Sequence, residues 1–319
     1  MHNVAVIEEQ VSERHFLDAE TFRRFSRPTP WLWLSAVALE WTIIGLTMWA
    51  CNRWVHWWLW VPAIFIIGTR QHALGIMAHE GTHYLVARKK FWNDLLANWL
   101  AAYSITYPVE GYRTNHLIHH RLLDTPDDPE RAAIDNYPED WTYPMPRRRF
   151  FLMLLRDVVG VYQIQMPKLY KYIWVIPEGR LRHIFKVSLF HAIALTVALM
   201  TGYLWTYLLL WLVPLCTVAL LCFRLRTAAE HSALHKPEKR YARREIDTMV
   251  TTRTTIGCPI MGFFLAPYNM SFHVEHHLYP SVPVFRLRAL HKVLMKNPDY
   301  AMRARVTRSY RGLVNELTT

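Results

Sequence analysis

No two of the four cysteines (Cys51, Cys216, Cys222 and Cys258) form a CxxC pair, which excludes a disulfide scaffold and a thiolate zinc site. Glycine is scarce, at 11 residues in 319, so collagen-like and linker compositions are excluded as well. No internal repeat or low-complexity tract is present, and the first 30 residues are too polar for a cleavable signal peptide, so none is expected. Acidic charge is also short, with 25 Asp and Glu against 37 Lys and Arg. Apolar and aromatic residues are abundant instead: 52% of the chain is hydrophobic, with 14 Trp, which excludes a disordered chain. Histidine is the outlier at 17 residues, and it is the commonest metal ligand.

Four apolar runs predict membrane-spanning helices over about 31–50, 54–78, 185–201 and 203–223. A helix needs roughly 20 apolar residues to cross a bilayer core. The third run is short and reaches that length only with His183 to Lys186 at the interface. Trp and Tyr clusters at the run ends fit the headgroup region. Of the Lys and Arg residues, 4 precede Trp31, 14 lie between His79 and Arg182, and 16 follow Phe223. With four spans these three segments share one face, and the positive-inside rule makes it cytoplasmic. The basic charge is then accounted for by topology and anionic lipid, with no call for nucleic acid. The expected organisation is a cytoplasmic segment 1–30, a membrane domain 31–295 and a basic tail 296–319.

The histidines fall in three clusters on that face. His79 and His83, in His79-Glu80-Gly81-Thr82-His83, are four apart and share a helix face. By itself this HExxH is also a zinc protease motif, with Glu80 as base. His116, His119 and His120 repeat the pattern HxxHH, as do His273, His276 and His277. The long interval between the second and third clusters holds two predicted spans, and only an even number lets all eight imidazoles meet. Eight ligands exceed the four that zinc takes. Two five- or six-coordinate ions fit better, and neutral imidazoles with open positions suit iron and oxygen chemistry.

The segments HEGTH, HLIHH and HVEHH resemble the three histidine boxes of the integral-membrane fatty acid desaturase and hydroxylase superfamily. Tyr112-Arg113, the loop from Leu123 to Pro129, Pro267-Tyr268-Asn269 and Leu278-Tyr279-Pro280 extend the likeness over roughly residues 30 to 295. The resemblance implies an all-α membrane protein, with four transmembrane helices and a cytoplasmic helical cap that holds a non-haem di-iron site. It also implies two Fe ions, O2 as co-substrate and a lipid-like substrate. The expected activity is desaturation of a fatty-acyl or lipid chain, with hydroxylation of a lipid, alkane or terpenoid as the alternative. A zinc protease uses only one cluster. No ligand set for a fused redox domain is visible, so electrons would come from a separate ferredoxin, rubredoxin or cytochrome b5 type protein.

Family members place a further ligand after the fourth span, which assigns His231 here, with His235 as its competitor. His72, seven residues before His79, is a candidate for supporting the site. So are Glu80, Asp128 and Glu275, since a ligating imidazole usually gives its second N–H to a carboxylate. Asp127-Asp128 would equally serve as a helix start. Asn269 stands four residues before His273 and is a candidate to approach the metal. Glu40 is costly in mid-span unless it hydrogen-bonds within the bundle. The stretch Arg286 to Arg311 alternates basic and apolar residues, which predicts an amphipathic helix on anionic lipid or a docking face for an acidic electron carrier. His2, His15, His56, His183, His191 and His291 have no partner spacing and are read as ordinary.

Overall fold

Four helices are long and apolar enough to cross a membrane: Ala19–Arg53, Trp57–Thr82, Arg180–Met200 and Leu204–His231. The computed structural model describes residues 16–54, 56–161, 171, 174–175, 179–231 and 248–319. The first stretch is a short helix α1 (Ala19–Phe25), capped by Asp18, followed by α2 (Pro30–Arg53) with proline at its start. Proline lacks only an N–H that the first turn cannot use. The second is α3 (Trp57–Thr82). Between it and the third come α4 (Lys90–Ala97), α5 (Val109–Leu122), α6 (Pro129–Ile134) and α7 (Arg147–Val158). The third and fourth are α8 (Arg180–Met200) and α9 (Leu204–His231), joined by a turn with Gly202 at positive φ.

Each predicted span overlaps one of these four helices, and two of the helices run on. α3 continues past residue 78 to Thr82, and α9 continues past 223 to His231. Both extensions are polar in sequence and largely buried in the structure, with His79, Glu80, Arg224 and Glu230 each at most 4% exposed. They therefore lie under protein rather than in water. Large apolar side chains are exposed elsewhere on these helices, with Trp31 and Trp49 of α2 and Trp57 and Trp58 of α3 all exposed.

Helices α3 and α9 touch at Gly68. A Cβ there would stand 2.5 Å from the Val218 Cβ. Gly81, inside the first histidine cluster, is similarly constrained by Ala97 at 2.3 Å. Glu40 of α2 and Arg70 of α3 form a fully buried ion pair at 3.3 Å, with Tyr268 Oη also donating to Glu40. The intra-bundle partner expected for Glu40 is thus Arg70.

After α9 the chain forms a two-residue strand β1 (Thr254–Thr255), then α10 (Pro259–Leu265), α11 (His273–Leu278), α12 (Leu287–Leu294), α13 (Pro298–Arg303), β2 (Val306–Thr307) and α14 (Tyr310–Leu317). β1 and β2 pair in parallel, Thr254 with Val306 and Thr255 with Thr307. The stretch from Arg286 to Arg311 is therefore broken into short elements instead of one surface helix. Its apolar face turns inward: Leu287, Leu290 and Leu294 of α12 are fully buried. Residues 296–319, set apart in the sequence as a basic tail, are built into the fold. Met145 bridges to Thr318, and Arg253 donates to Glu316 at 3.0 Å.

Candidate metal centre

The three clusters meet where the C-terminal ends of α3 and α9 come together. His79 sits in the last turn of α3, and His83 ends that helix. The helix end is held by Arg113 of α5, whose guanidinium donates to the carbonyls of Gly81 (2.7 Å) and Thr82 (2.9 Å) and to Asp94. Asn93 donates to the Gly81 carbonyl as well, at 2.8 Å. The last carbonyls of a helix lack partners within it. Arg113 and Asn93 supply them, and so fix where His79 and His83 point. Asn98, at a π-helical turn, accepts from the Val109 N–H and anchors the start of α5. Tyr112 of α5 stacks on His116 at 4.7 Å between ring centroids.

Five imidazoles form one group: His79, His83, His116, His120 and His276. One nitrogen from each ring lies within 4.8 Å of those of the other four. The Nε2 of His116 is 2.8 Å from that of His79 and 3.0 Å from those of His83 and His120. His276 Nε2 is 3.1 Å from His120 Nε2. Two further triads, His119–His231–His277 and Glu230–His231–His273, share His231 and are taken together as a second group. There His273 Nε2 is 2.9 Å from His231 Nε2 and 3.1 Å from His277 Nε2. The groups adjoin, since the rings of His120 and His277 stack at 4.2 Å.

All nine histidines assigned to the site are thus brought together, His231 included. His235 lies outside the described residues. The two HxxHH segments do not each serve one group. His116 and His120 go to the first while His119 goes to the second; His273 and His277 go to the second while His276 goes to the first.

The supporting carboxylates differ in part from those the sequence suggested. Asp128 makes two contacts at once. Both its oxygens lie 3.0 Å from His119 Nδ1, and it caps α6 by accepting from the Glu130 N–H at 2.9 Å. Glu80 points away from the imidazoles and accepts from the Val284 N–H at 3.2 Å. It is not placed as the base of a zinc protease, and that reading finds no support. Glu275 is likewise turned to the back of α11. It accepts from Thr254 Oγ1 (2.6 Å) and Tyr300 Oη (2.5 Å) and contacts His291. His291, read as ordinary, is therefore part of the brace behind the third cluster. Asn269 donates to the Val284 carbonyl at 3.4 Å and stands in neither group. His72 is buried on α3, also in neither group, and neither of its ring nitrogens has a hydrogen-bond partner among the described residues. One residue was missed: Glu130, 3.5 Å from His119 Nε2; Glu230 makes the pair with Arg226 that their spacing of one helical turn suggests, at 2.7 Å, and also lies 3.5 Å from His273 Nδ1.

Burial keeps the cluster neutral. It pushes His83 down to about 3, helped by the nearby Arg113 charge. Burial and neighbouring imidazoles hold His116, His120, His273, His276 and His277 well below the usual histidine value. His119 is the exception. Burial lowers it too, but Asp128 and Glu130 outweigh burial and raise it to about 9. Both Asp128 oxygens face His119 Nδ1 at 3.0 Å, so that nitrogen donates its proton to the carboxylate.

The sequence matches the family model described as fatty acid desaturase over residues 55–309. The chain belongs to the fatty acid desaturase family. It is an oxidoreductase of a non-haem iron enzyme family and an integral membrane protein. Among curated proteins it is similar to dihydrorhizobitoxine desaturase of Bradyrhizobium elkanii, with 28% identity covering 81% of this chain and 73% of that one. A sn-1 acyl-lipid omega-3 desaturase (ferredoxin) of Nostoc sp. is 30% identical over 38% of this chain and 31% of its own. A beta-carotene ketolase of Paracoccus sp. is 26% identical over 79% of this chain and 88% of its own.

Proposed function

We propose that this desaturase-family chain is an oxygen-dependent, non-haem di-iron oxidase that removes two hydrogens from a fatty-acyl or other lipid chain. The observation that carries it is the convergence of nine imidazoles into two adjoining groups. Hydrogen bonding alone does not explain the first group. His116 Nε2 has three Nε2 neighbours within 3.0 Å, and one ring nitrogen can share only one proton. A shared cation satisfies all of them at once. Buried, neutral nitrogen donors suit a transition metal better than the oxygen-seeking Mg or Ca.

His79, His83, His116, His120 and His276 would hold one iron, and His119, His231, His273 and His277 the other. When bound, the pair would supply oxygen activation and attack on an unactivated C–H bond. The protein's own part is orientation and exclusion of water. Asp128 keeps the His119 proton on Nδ1 and leaves Nε2 for the metal. Arg113 and Asn93 set the end of α3, and the Glu275–His291–Tyr300 brace sets α11. Asp128→Asn is expected to weaken iron retention by about 10–100-fold, the usual cost of losing such a partner. Iron retained against increasing chelator measures it.

Hydroxylation is the second reading, favoured by the likeness to a ketolase, whose name denotes oxygen insertion on a terpenoid. Expression in a host of known lipid profile, followed by mass spectrometry, separates the two. Loss of two hydrogens supports desaturation, and gain of an oxygen supports hydroxylation; no change in any lipid would count against both. Electrons would come from a separate carrier, and the ferredoxin named for the Nostoc relative favours that type over rubredoxin or cytochrome b5.

Four spans and the distribution of Lys and Arg support a cytoplasmic site and termini. A cysteine placed at position 130 is expected to stay unlabelled by an impermeant thiol reagent added outside sealed cells, after the native cysteines are replaced. A cysteine at Gly202 should label. External labelling at 130 would overturn this topology.

A further inference from the structure

A cavity of about 100 Å³ lies where the end of α5, helix α6 and the helical turn Pro138–Trp141 come together. That is room for several water molecules, each of which needs about 10–15 Å³ of such space. The wall is acidic. Asp124, Asp128, Glu130 and Asp135 line it, against the one guanidinium of Arg131. Arg131 is already held by Asp124 at 2.9 Å and by Asp135 at 2.8 Å. A concave wall of one sign, set among apolar side chains such as Leu123 and Ile134, concentrates ions of the opposite sign.

The same wall holds His119 and His231, two donors of the second histidine group. None of the five imidazoles of the first group lines it. His119 gives its Nδ1 to Asp128 at 3.0 Å, which leaves Nε2 as its open donor. That nitrogen has no hydrogen-bond partner among the described residues, and Glu130 stands 3.5 Å from it. His119 and Asp128 are each 2% exposed, whereas Asp135, Pro138 and Thr142 of the same wall are exposed. One cavity therefore borders both the protein surface and the buried histidines. An anion would be repelled by its carboxylates, and an apolar ligand would strip them of water. A cation suits them, and carboxylate oxygens hold a transition metal less firmly than imidazole does.

We infer that this cavity is the port by which ferrous iron enters the second histidine group from water, with Glu130 relaying it to His119 Nε2. The inference rests on the di-iron reading above and adds to it the route by which the site fills. Asp124 and Asp135 draw the hydrated cation in by charge, and His119 and His231 retain it. Because the wall carries histidines of the second group alone, the port serves one ion of the pair.

The test adds ferrous iron, without oxygen, to the full-length protein after a chelator has stripped it, and counts bound metal over time. Asp135→Lys and Glu130→Gln are expected to slow the filling of one of the two sites about tenfold, the low end of electrostatic steering. Their final content should still reach two ions per chain. The difference should fade with salt, because the screening length falls from about 30 Å at 0.01 M to about 8 Å at 0.15 M. Thr142→Trp, which obstructs the cavity without changing its charge, should slow filling at either salt. It should equally slow removal of iron by chelator from protein purified with its metal. Asp299→Lys, a charge reversal on α13 away from this wall, should fill at the unsubstituted rate. Unchanged filling in Asp135→Lys and Thr142→Trp would overturn the inference, as would equal slowing in Asp299→Lys. A lower final iron content in Glu130→Gln would make Glu130 a ligand and overturn its part as a relay. Failure of the di-iron reading is told apart from these outcomes, since the unsubstituted protein would then bind no iron at any time.

Discussion

Alanine at His231 is expected to abolish turnover and to lower bound iron from two ions per chain toward one. His231 is placed in the second group by the final turn of α9, 2.9 Å from His273, and that group has four imidazoles against five in the first. Losing one of four leaves three donors, with Glu230 as the neighbouring acid. Removing a mere supporting partner already costs about 10–100-fold in affinity, and removal of a direct donor should exceed it. His273→Ala and His277→Ala should behave alike. His79→Ala, His83→Ala, His116→Ala, His120→Ala and His276→Ala should instead deplete the first group. His56→Ala, on an exposed position, and His235→Ala should keep both iron and product. Metal analysis of purified variants, normalised to protein, decides the matter. Two ions and normal product in His231→Ala would show that the second group closes without it.

Arg70→Met is expected to destabilise the protein by about 3–5 kcal/mol, because it leaves Glu40 buried without its counter-charge. The site is fully enclosed, and Arg70 also donates to the Phe263 carbonyl and lies 3.7 Å from the centroid of the Phe263 ring. The loss would thus loosen α10 as well as the α2–α3 contact. The double variant Glu40→Leu/Arg70→Met should regain most of the stability, since replacing both members of a buried pair by apolar groups is often neutral. Thermal unfolding in detergent measures both. If the single variant melts with the unsubstituted protein, Glu40 is satisfied by Tyr268 alone.

The histidine clusters and the even number of spans were legible because both are local patterns. Spacing on a helix and the length of an apolar run need no knowledge of distant contacts. What failed to show in the sequence depends on partners far along the chain. Glu275 lies two residues from His273, so a helix turns it some 200° away, toward Thr254, His291 and Tyr300. Sequence proximity to the cluster suggested the wrong face. The amphipathic stretch after Arg286 showed correctly that one face is apolar. Periodicity could not tell lipid from protein as the cover, and the cover proved to be the protein's own core around Leu287, Leu290 and Leu294. Asp128 was readable both ways, as cap and as histidine partner, and a carboxylate with two oxygens does both.

The division of each HxxHH segment between the two groups makes the helix itself a gauge. Adjacent residues His119 and His120 on α5 have ring centroids 5.8 Å apart, and His276 and His277 on α11 5.6 Å apart, yet each pair faces two different groups. Two separate stretches of backbone therefore hold the same interval, and neither depends on loop conformation. The spacing depends on the number of residues between the histidines, while Glu275, between His273 and His276, also braces α11 from behind. One inserted or deleted residue would rotate everything beyond it by roughly 100°, taking one of the paired imidazoles out of its group. In these two segments the number of residues between the histidines is what sets which group each imidazole reaches.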